Sequence, residues 1–145
     1  MKIVLQRVTE ASVRVDGEVV GRIDRGLMIL VGIADGDDES TVDWMADKAA
    51  GLRVFADDDG KMNRDVGQVG GGVLAVSQFT LLADCRKGRR PAMTDAAPPD
   101  VAERLYDRFC QRLEGRGLPV ETGRFAADMK VSLVNDGPVT IVLEK

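Results

Sequence analysis

The amino-acid sequence predicts one α+β domain, and three observations carry that prediction. The chain has 145 residues and a mass of 15.7 kDa, the size of one domain built around one core. Its first third is rich in β-branched runs separated by turn residues, while two longer stretches switch to helical spacing. No linker, repeat or low-complexity segment interrupts that order. With 44% hydrophobic and 30% charged residues, the composition is that of a soluble globular protein and excludes disordered and fibrous classes.

The elements follow in order. Ile3 to Val8 is an apolar-biased strand, and Val13-Arg14-Val15 and Glu18-Val19-Val20 flank Asp16-Gly17, the dipeptide of a type I′ hairpin turn. Leu27 to Ala34 is apolar throughout and reads as a strand buried on both faces. A helix follows, with Ser40 as cap, Asp43 in capping-box position, and Val42, Met45, Ala46, Ala49 and Leu52 at helical spacing. Arg53 to Ala56 is a short strand ending in the turn Asp57-Asp58-Asp59-Gly60, which lacks the alternate ligands and closing Glu of a calcium loop. Gly70-Gly71-Gly72 precedes a strand, Val73 to Phe79, instead of a helix, so it is a turn or a close backbone approach and not a phosphate loop. After a long loop from Asp84 to Pro99, Asp100 caps a second helix with Glu103 at N3 and an apolar face of Val101, Ala102, Leu105, Tyr106, Phe109 and Leu113. It ends near Gly115-Arg116-Gly117. Val120 to Phe125, Met129 to Val134 and Val139 to Leu143 complete the chain as three strands.

The most informative count is zero: there is no histidine. That excludes Ser-His-Asp and Cys-His nucleophile systems, imidazole general bases and His-containing zinc sites. The two cysteines, Cys85 and Cys110, neither complete a thiolate metal site nor suggest a secreted disulfide framework, and no metal or cofactor is expected. A net charge of −4 and a pI near 4.9 argue against a globally basic nucleic-acid binder, though a local patch is compatible with them. No apolar run reaches the ~18–20 residues of a membrane helix, and the N-terminus lacks the apolar run of a signal peptide. The expected location is cytoplasmic.

Four features stand out chemically. Ser77-Gln78-Phe79-Thr80-Leu81 puts hydroxyl, amide and aromatic groups at a strand end, where they either cap the strand or form a site. Asn135-Asp136-Gly137-Pro138-Val139-Thr140 is strong turn chemistry. Arg86, Lys87, Arg89 and Arg90 crowd one loop of an otherwise acidic chain, as a solvated charge run or as contacts for phosphate oxygens. Phe125 and Met129 either fill core or flank a planar base. Cys85 lies beside Arg86 but has no base to partner it as a nucleophile.

Together these motifs resemble those of the D-aminoacyl-tRNA deacylases. Ser77 to Leu81 and Asn135 to Thr140 match the two signature motifs of that family. Leu5-Gln6-Arg7-Val8, Ala11-Ser12-Val13, Gly60-Lys61-Met62-Asn63, Arg90-Pro91 and Phe125-Ala126-Ala127-Asp128-Met129 fit it in order and spacing over essentially the whole chain. The chain departs at Ala92-Met93, where the family pattern has Ser-Phe. The resemblance implies a homodimer of three-layer β/β/α subunits with active sites at the dimer interface. It implies hydrolysis of the ester between a D-amino acid, or glycine, and the terminal adenosine of tRNA, with rejection of L-aminoacyl-tRNA. Carried onto this chain, Ser77, Gln78, Phe79 and Thr80 would line the scissile ester. Gly137-Pro138 would be a cis dipeptide entering the partner subunit's site as a chiral gate. Phe125 and Met129 would house the adenine, while Arg7 and Asn135 would support the Gly-Pro segment. Arg86, Lys87, Arg89 and Arg90 would be candidate tRNA phosphate contacts. The rival reading is a non-catalytic RNA- or DNA-binding module.

Overall fold

The computed structural model describes residues 1–145. Strands β1 (Lys2–Val15), β2 (Glu18–Ile23) and β3 (Gly26–Gly32) lead into helix α1 (Glu39–Ala50), followed by the short pair β4 (Phe55–Ala56) and β5 (Met62–Arg64). Strand β6 (Gly72–Ser77) runs into a 3-10 turn, Phe79–Leu82. Helix α2 (Pro99–Glu114), β7 (Val120–Thr122) and β8 (Lys130–Glu144) then complete the chain. Six strands form one mixed sheet in the order β2-β1-β3-β6-β7, with β8 paired to β1 off that path. The sheet curls until β2 and β7 nearly meet: a side chain at Gly21 would collide with the Thr122 carbonyl. No helix is long and apolar enough to cross a membrane.

Two apolar clusters explain the curl. Ile3, Leu5, Leu27, Ile29, Val73 and Ala75 face α1 and α2. Met28, Leu74 and Val76, on the reverse face of the same strands, meet Val8, Ala11, Val13 and Ile23 inside the curl. Strand β3 is thus covered on both faces, as its unbroken apolar run predicts. Strand β1 serves both clusters by alternation, with Ile3 and Leu5 toward the helices and Val8 toward the curl, and its register then slips between Val8 and Glu10. One extra residue there reverses the inward parity, so even-numbered Val8 and odd-numbered Ala11 both point into the curl. The glycine run acts as expected: Gly70 turns at φ +65°, and Gly72 pairs with Gly26 so closely that a Cβ on Gly26 would strike its carbonyl.

Several boundaries differ from expectation. Asp38, not Ser40, caps α1, accepting from the Thr41 N–H at 2.8 Å; its carboxyl pKa falls to about 2, chiefly through that bond. Pro98 occupies the cap position of α2 with Pro99 first in the helix, so Asp100 is an acidic first-turn residue instead of the cap. A proline at the first helical position sacrifices an N–H with no helical partner in any case. Strand β6 stops at Ser77, which puts Phe79 in the 3-10 turn, and β7 stops at Thr122, which leaves Phe125 in a loop. The two expected C-terminal strands are one, with Asn135 to Val139 as a bulge inside it.

Helices α1 and α2 run parallel, joined by a ladder that helical periodicity alone does not announce. Glu39, Asp43 and Asp47 meet Arg104, Arg108 and Arg112 respectively, with Arg116 also on Asp47. The Arg108–Asp43 and Arg112–Asp47 pairs are bidentate at 2.8–3.0 Å. Hydrogen bonds from Arg108 and Arg112 hold the carboxyls of Asp43 and Asp47 below the ordinary range. A depressed folded-state pKa contributes stability above the unfolded value, about 3.9 for Asp, and loses it as pH falls through the folded value. Thermal stability is therefore expected to fall as pH drops from the unfolded value through the folded ones. An Asp43→Asn/Asp47→Asn variant should lose less over that interval, as differential scanning calorimetry across pH would show.

Candidate active site

At the C-terminal end of β6 the backbone turns sharply. The Gln78 N–H donates to the Val31 carbonyl at 2.7 Å, and its own carbonyl accepts from Leu81 at 3.2 Å. Phe79 and Thr80 thereby occupy the first positions of the 3-10 turn, where N–H groups have no partner within the turn. Phe79 is exposed despite its apolar ring. The Gln78 amide donates to the Thr80 hydroxyl oxygen, so Thr80 meets a donor and no base.

A second segment reaches the same place. Ala126 adopts φ +57°, and the Ala127 N–H donates to the Arg124 carbonyl at 3.2 Å, curling residues 123–129 over the sheet. Met129 lies so close to Gly123 that a Cβ there would stand 2.5 Å from the Met129 sulfur. Phe125 packs on the buried Tyr106 ring at 6.3 Å between centroids. Tyr106 itself donates to the Ala75 carbonyl at 2.9 Å, and burial pushes its phenol pKa far up.

These two segments enclose a cleft of about 430 Å³ in which Ser77, Gln78 and Phe79 face Phe125 and Met129. The lining is mainly apolar, with Ser77, Gln78 and Asp128 as its polar residues. Asp128 is exposed and paired with Lys130 at 3.0 Å. Such a surface suits a flat, uncharged group held beside a polar reaction point. Ile33, Val76, Ala97, Pro99 and Ala102 add to the walls from β6, from α2 and the residues before it, and from just past the end of β3. Sequence reading missed them, because only tertiary packing brings these ordinary apolar residues to the site.

Gly137 and Pro138 lie elsewhere, outside the lining of this cleft, with Pro138 exposed. Their peptide bond is cis. Gln6 pairs with Thr140 and Val8 with Asn135, so Arg7 alone faces residues 136–139. Arg7 fills that gap: its Nε donates to the Asp136 carbonyl at 3.1 Å, and its Nη1 donates to the Val54 carbonyl. It also pairs with the Asp136 carboxylate at 3.2 Å. Asn135 closes the bulge by donating to the carbonyls of Arg7 and Val139, both at 2.9 Å. The bulge is therefore a built projection instead of a loose turn.

The basic loop is a short excursion tied at its base by paired hydrogen bonds between Asp84 and Ala92. Arg86 turns back on Asp84 at 2.8–2.9 Å and holds that carboxyl at about 2. Lys87, Arg89 and Arg90 are exposed at its tip. Asp57 accepts from the N–H groups of Asp59 and Lys61 and from the Asn63 amide, closing its own turn. Cys85 is exposed; Cys110 is buried, which raises its thiol pKa to about 12.

Fold and cleft first define a class. The backbone superposes with a TM-score of 0.82, over 98% of this chain and 97% of the other, on a solved structure described as a probable eukaryotic D-amino acid tRNA deacylase. At 20% identity that match establishes the fold alone. The chain belongs to the D-Tyr-tRNA(Tyr) deacylase family, whose model matches residues 4–144. Curated relatives named D-aminoacyl-tRNA deacylase include one from Rhodopirellula baltica, 65% identical over 99% of both chains. Another, from Geobacter metallireducens, is 59% identical over 99% of this chain and 95% of its own. A solved structure titled c-Myc DNA Unwinding Element Binding Protein is 42% identical with a TM-score of 0.94, covering 100% of this chain and 99% of the other.

Proposed function

We propose that the protein hydrolyses the ester joining a D-amino acid, or glycine, to the terminal adenosine of tRNA, and so proofreads chirality in translation. The observation that carries this reading is the convergence of the Ser77–Phe79 strand end with Phe125 and Met129 in one cleft, in a chain of the deacylase family. The adenine lies between Phe125 and Met129, and the ester lies against residues 77–80. Phe79 and Thr80 N–H groups, with the Gln78 amide nearby, stabilise the oxyanion.

An aminoacyl ester is labile in water because its α-ammonium and the vicinal 2′-hydroxyl activate it. The barrier reduction demanded is correspondingly modest, at about 1.4 kcal/mol per tenfold in rate, and positioning with oxyanion stabilisation supplies it without histidine. Water attacks, assisted by the RNA 2′-hydroxyl. The working unit is a homodimer of three-layer β/β/α subunits in which Gly137-Pro138 of one protomer enters the cleft of the other. The carbonyls of that segment meet the substrate α-amino group and leave no room for an L side chain, while Arg7 and Asn135 hold the segment in place. Lys87, Arg89 and Arg90, with Arg86 at the loop base, contact tRNA phosphates.

A main-chain gate needs no side-chain pocket, so many D side chains fit and glycine passes. Single-turnover deacylation of D-, L- and glycyl-tRNA tests this: D-esters of several side chains and glycyl-tRNA should be hydrolysed and L-esters spared. Selectivity for D-tyrosine alone would contradict the gate. The second reading, nucleic-acid binding without catalysis, draws on the 42%-identical structure titled as a DNA unwinding element binding protein. The same assay separates them, since a pure binding module leaves every ester intact.

A further inference from the structure

A second concavity lies on the outer face of the sheet. Ala11, Val13 and Val15 of β1 are buried, so alternate residues Glu10, Ser12 and Arg14 stand on the opposite face. Ser12 pairs with Arg22 on β2 and with Ser132 on β8, and Arg14 pairs with Lys130 on β8. Side chains directly opposite on neighbouring strands sit about 5 Å apart, which brings three cations and two hydroxyls together. Ser12, Arg14, Arg22 and Ser132 line a groove of about 430 Å³, with Lys130 just outside it. Arg14 is steadied by donating to the Gly17 carbonyl at 3.1 Å. Neither Arg14 nor Arg22 has a carboxylate partner, unlike the arginines of α2. Glu10 stands at the far end beside Val134, which gives the groove a positive end and a negative one.

We propose that this groove, through Arg14 and Arg22, binds the phosphate backbone of tRNA as it approaches the cleft. The proposal rests on the deacylase reading for its ligand and adds a site to it. Guanidinium groups with free donors match phosphate oxygens in charge and geometry. Position supports the same occupant: Met129 and Val131 line the cleft while Ser132 and Val134 line the groove. Cleft and groove are thus lined by residues of one short stretch at the start of β8, whose only sheet partner is β1. A strand with its last nucleotide in the cleft passes over the free edge of β8 and meets the groove. Lys130 adds charge at the crossing, moderated by its pairing with Asp128.

The test compares the wild-type protein with Arg14→Ala/Arg22→Ala. Binding of uncharged tRNA is followed by fluorescence anisotropy across salt, and hydrolysis of a D-aminoacyl-adenosine, which carries no phosphate, reports an intact cleft. The double variant should bind tRNA about tenfold more weakly, with the slope of log affinity against log salt reduced by about one to two. Its hydrolysis of the adenosine ester should match wild type. Unchanged tRNA affinity and slope would overturn the proposal. So would equal loss on both assays together with a changed oligomeric state, which would make the face a contact between copies of the chain. Failure of the wild-type protein to hydrolyse D-aminoacyl-tRNA would count against the deacylase reading alone, because tRNA binding is read separately.

Discussion

Gly137→Ala is expected to abolish most deacylation while leaving the protein folded. Gly137 has φ +126°, a region that side-chain-bearing L residues rarely adopt. A Cβ built there stands 2.8 Å from Arg7 Nη2 and 3.0 Å from Val139 Cγ2. Arg7 cannot simply swing away, because the same guanidinium holds the Asp136 and Val54 carbonyls. The bulge must therefore shift, and with it the carbonyls of the proposed gate. Displacement of about 1 Å at a positioning group costs on the order of 100-fold in rate, whereas strain at one residue costs about 1–3 kcal/mol of stability. The measurement pairs kcat/KM on D-aminoacyl-tRNA with a melting curve. A large activity loss with a modest shift in Tm is the expected pattern, and near-normal turnover would remove the bulge from the site.

Replacing the terminal ribose of the substrate by 2′-deoxyribose is expected to reduce hydrolysis by roughly 100- to 10,000-fold, the range for losing a positioned proton-transfer group. The reason is the chemistry the cleft lacks. Its lining contains no histidine, and Asp128 is exposed and paired with Lys130. The Thr80 hydroxyl, at the same strand end, accepts from the Gln78 amide and meets no base. On the proposed reading the 2′-hydroxyl of the RNA supplies the proton-transfer group instead. Thr80→Val should accordingly turn over the ribose substrate at a near-normal rate. Undiminished cleavage of the deoxy substrate would contradict assistance by RNA. Abolished turnover in Thr80→Val with intact tRNA binding would instead make Thr80 the nucleophile.

How legible all this is from sequence varies with the physics. The Asp16-Gly17 hairpin, the two-faced strand within residues 27–34 and the apolar stripe of α2 follow local rules of φ and periodicity, and they stand where those rules put them. Local pattern misplaced what depends on distant groups. Asn135 to Val139 looks like a chain reversal because its residues favour turns, yet it continues one strand as a bulge, since Arg7 and Asn135 supply its missing ladder partners. Ser40 is a good cap residue, but Asp38 lies where its carboxylate reaches the Thr41 N–H. The polar part of the cleft could be named from its motif. The apolar walls at Ile33, Ala97 and Ala102 could not, because nothing in their sequence neighbourhood distinguishes core from cleft.

Whether sites are shared between protomers admits a direct measurement. A chain with a damaged cleft, Gln78→Ala/Phe79→Ala, and a chain with a damaged bulge, Gly137→Ala, should each be inactive alone. Co-expressed, they should form mixed dimers in which one site joins the intact cleft of one chain to the intact bulge of the other. With random pairing about a quarter of wild-type specific activity should return, since half the dimers are mixed and each carries one whole site. If bulge and cleft of the same chain worked together, no mixture would regain activity, and a gate lent by the neighbouring subunit would be ruled out.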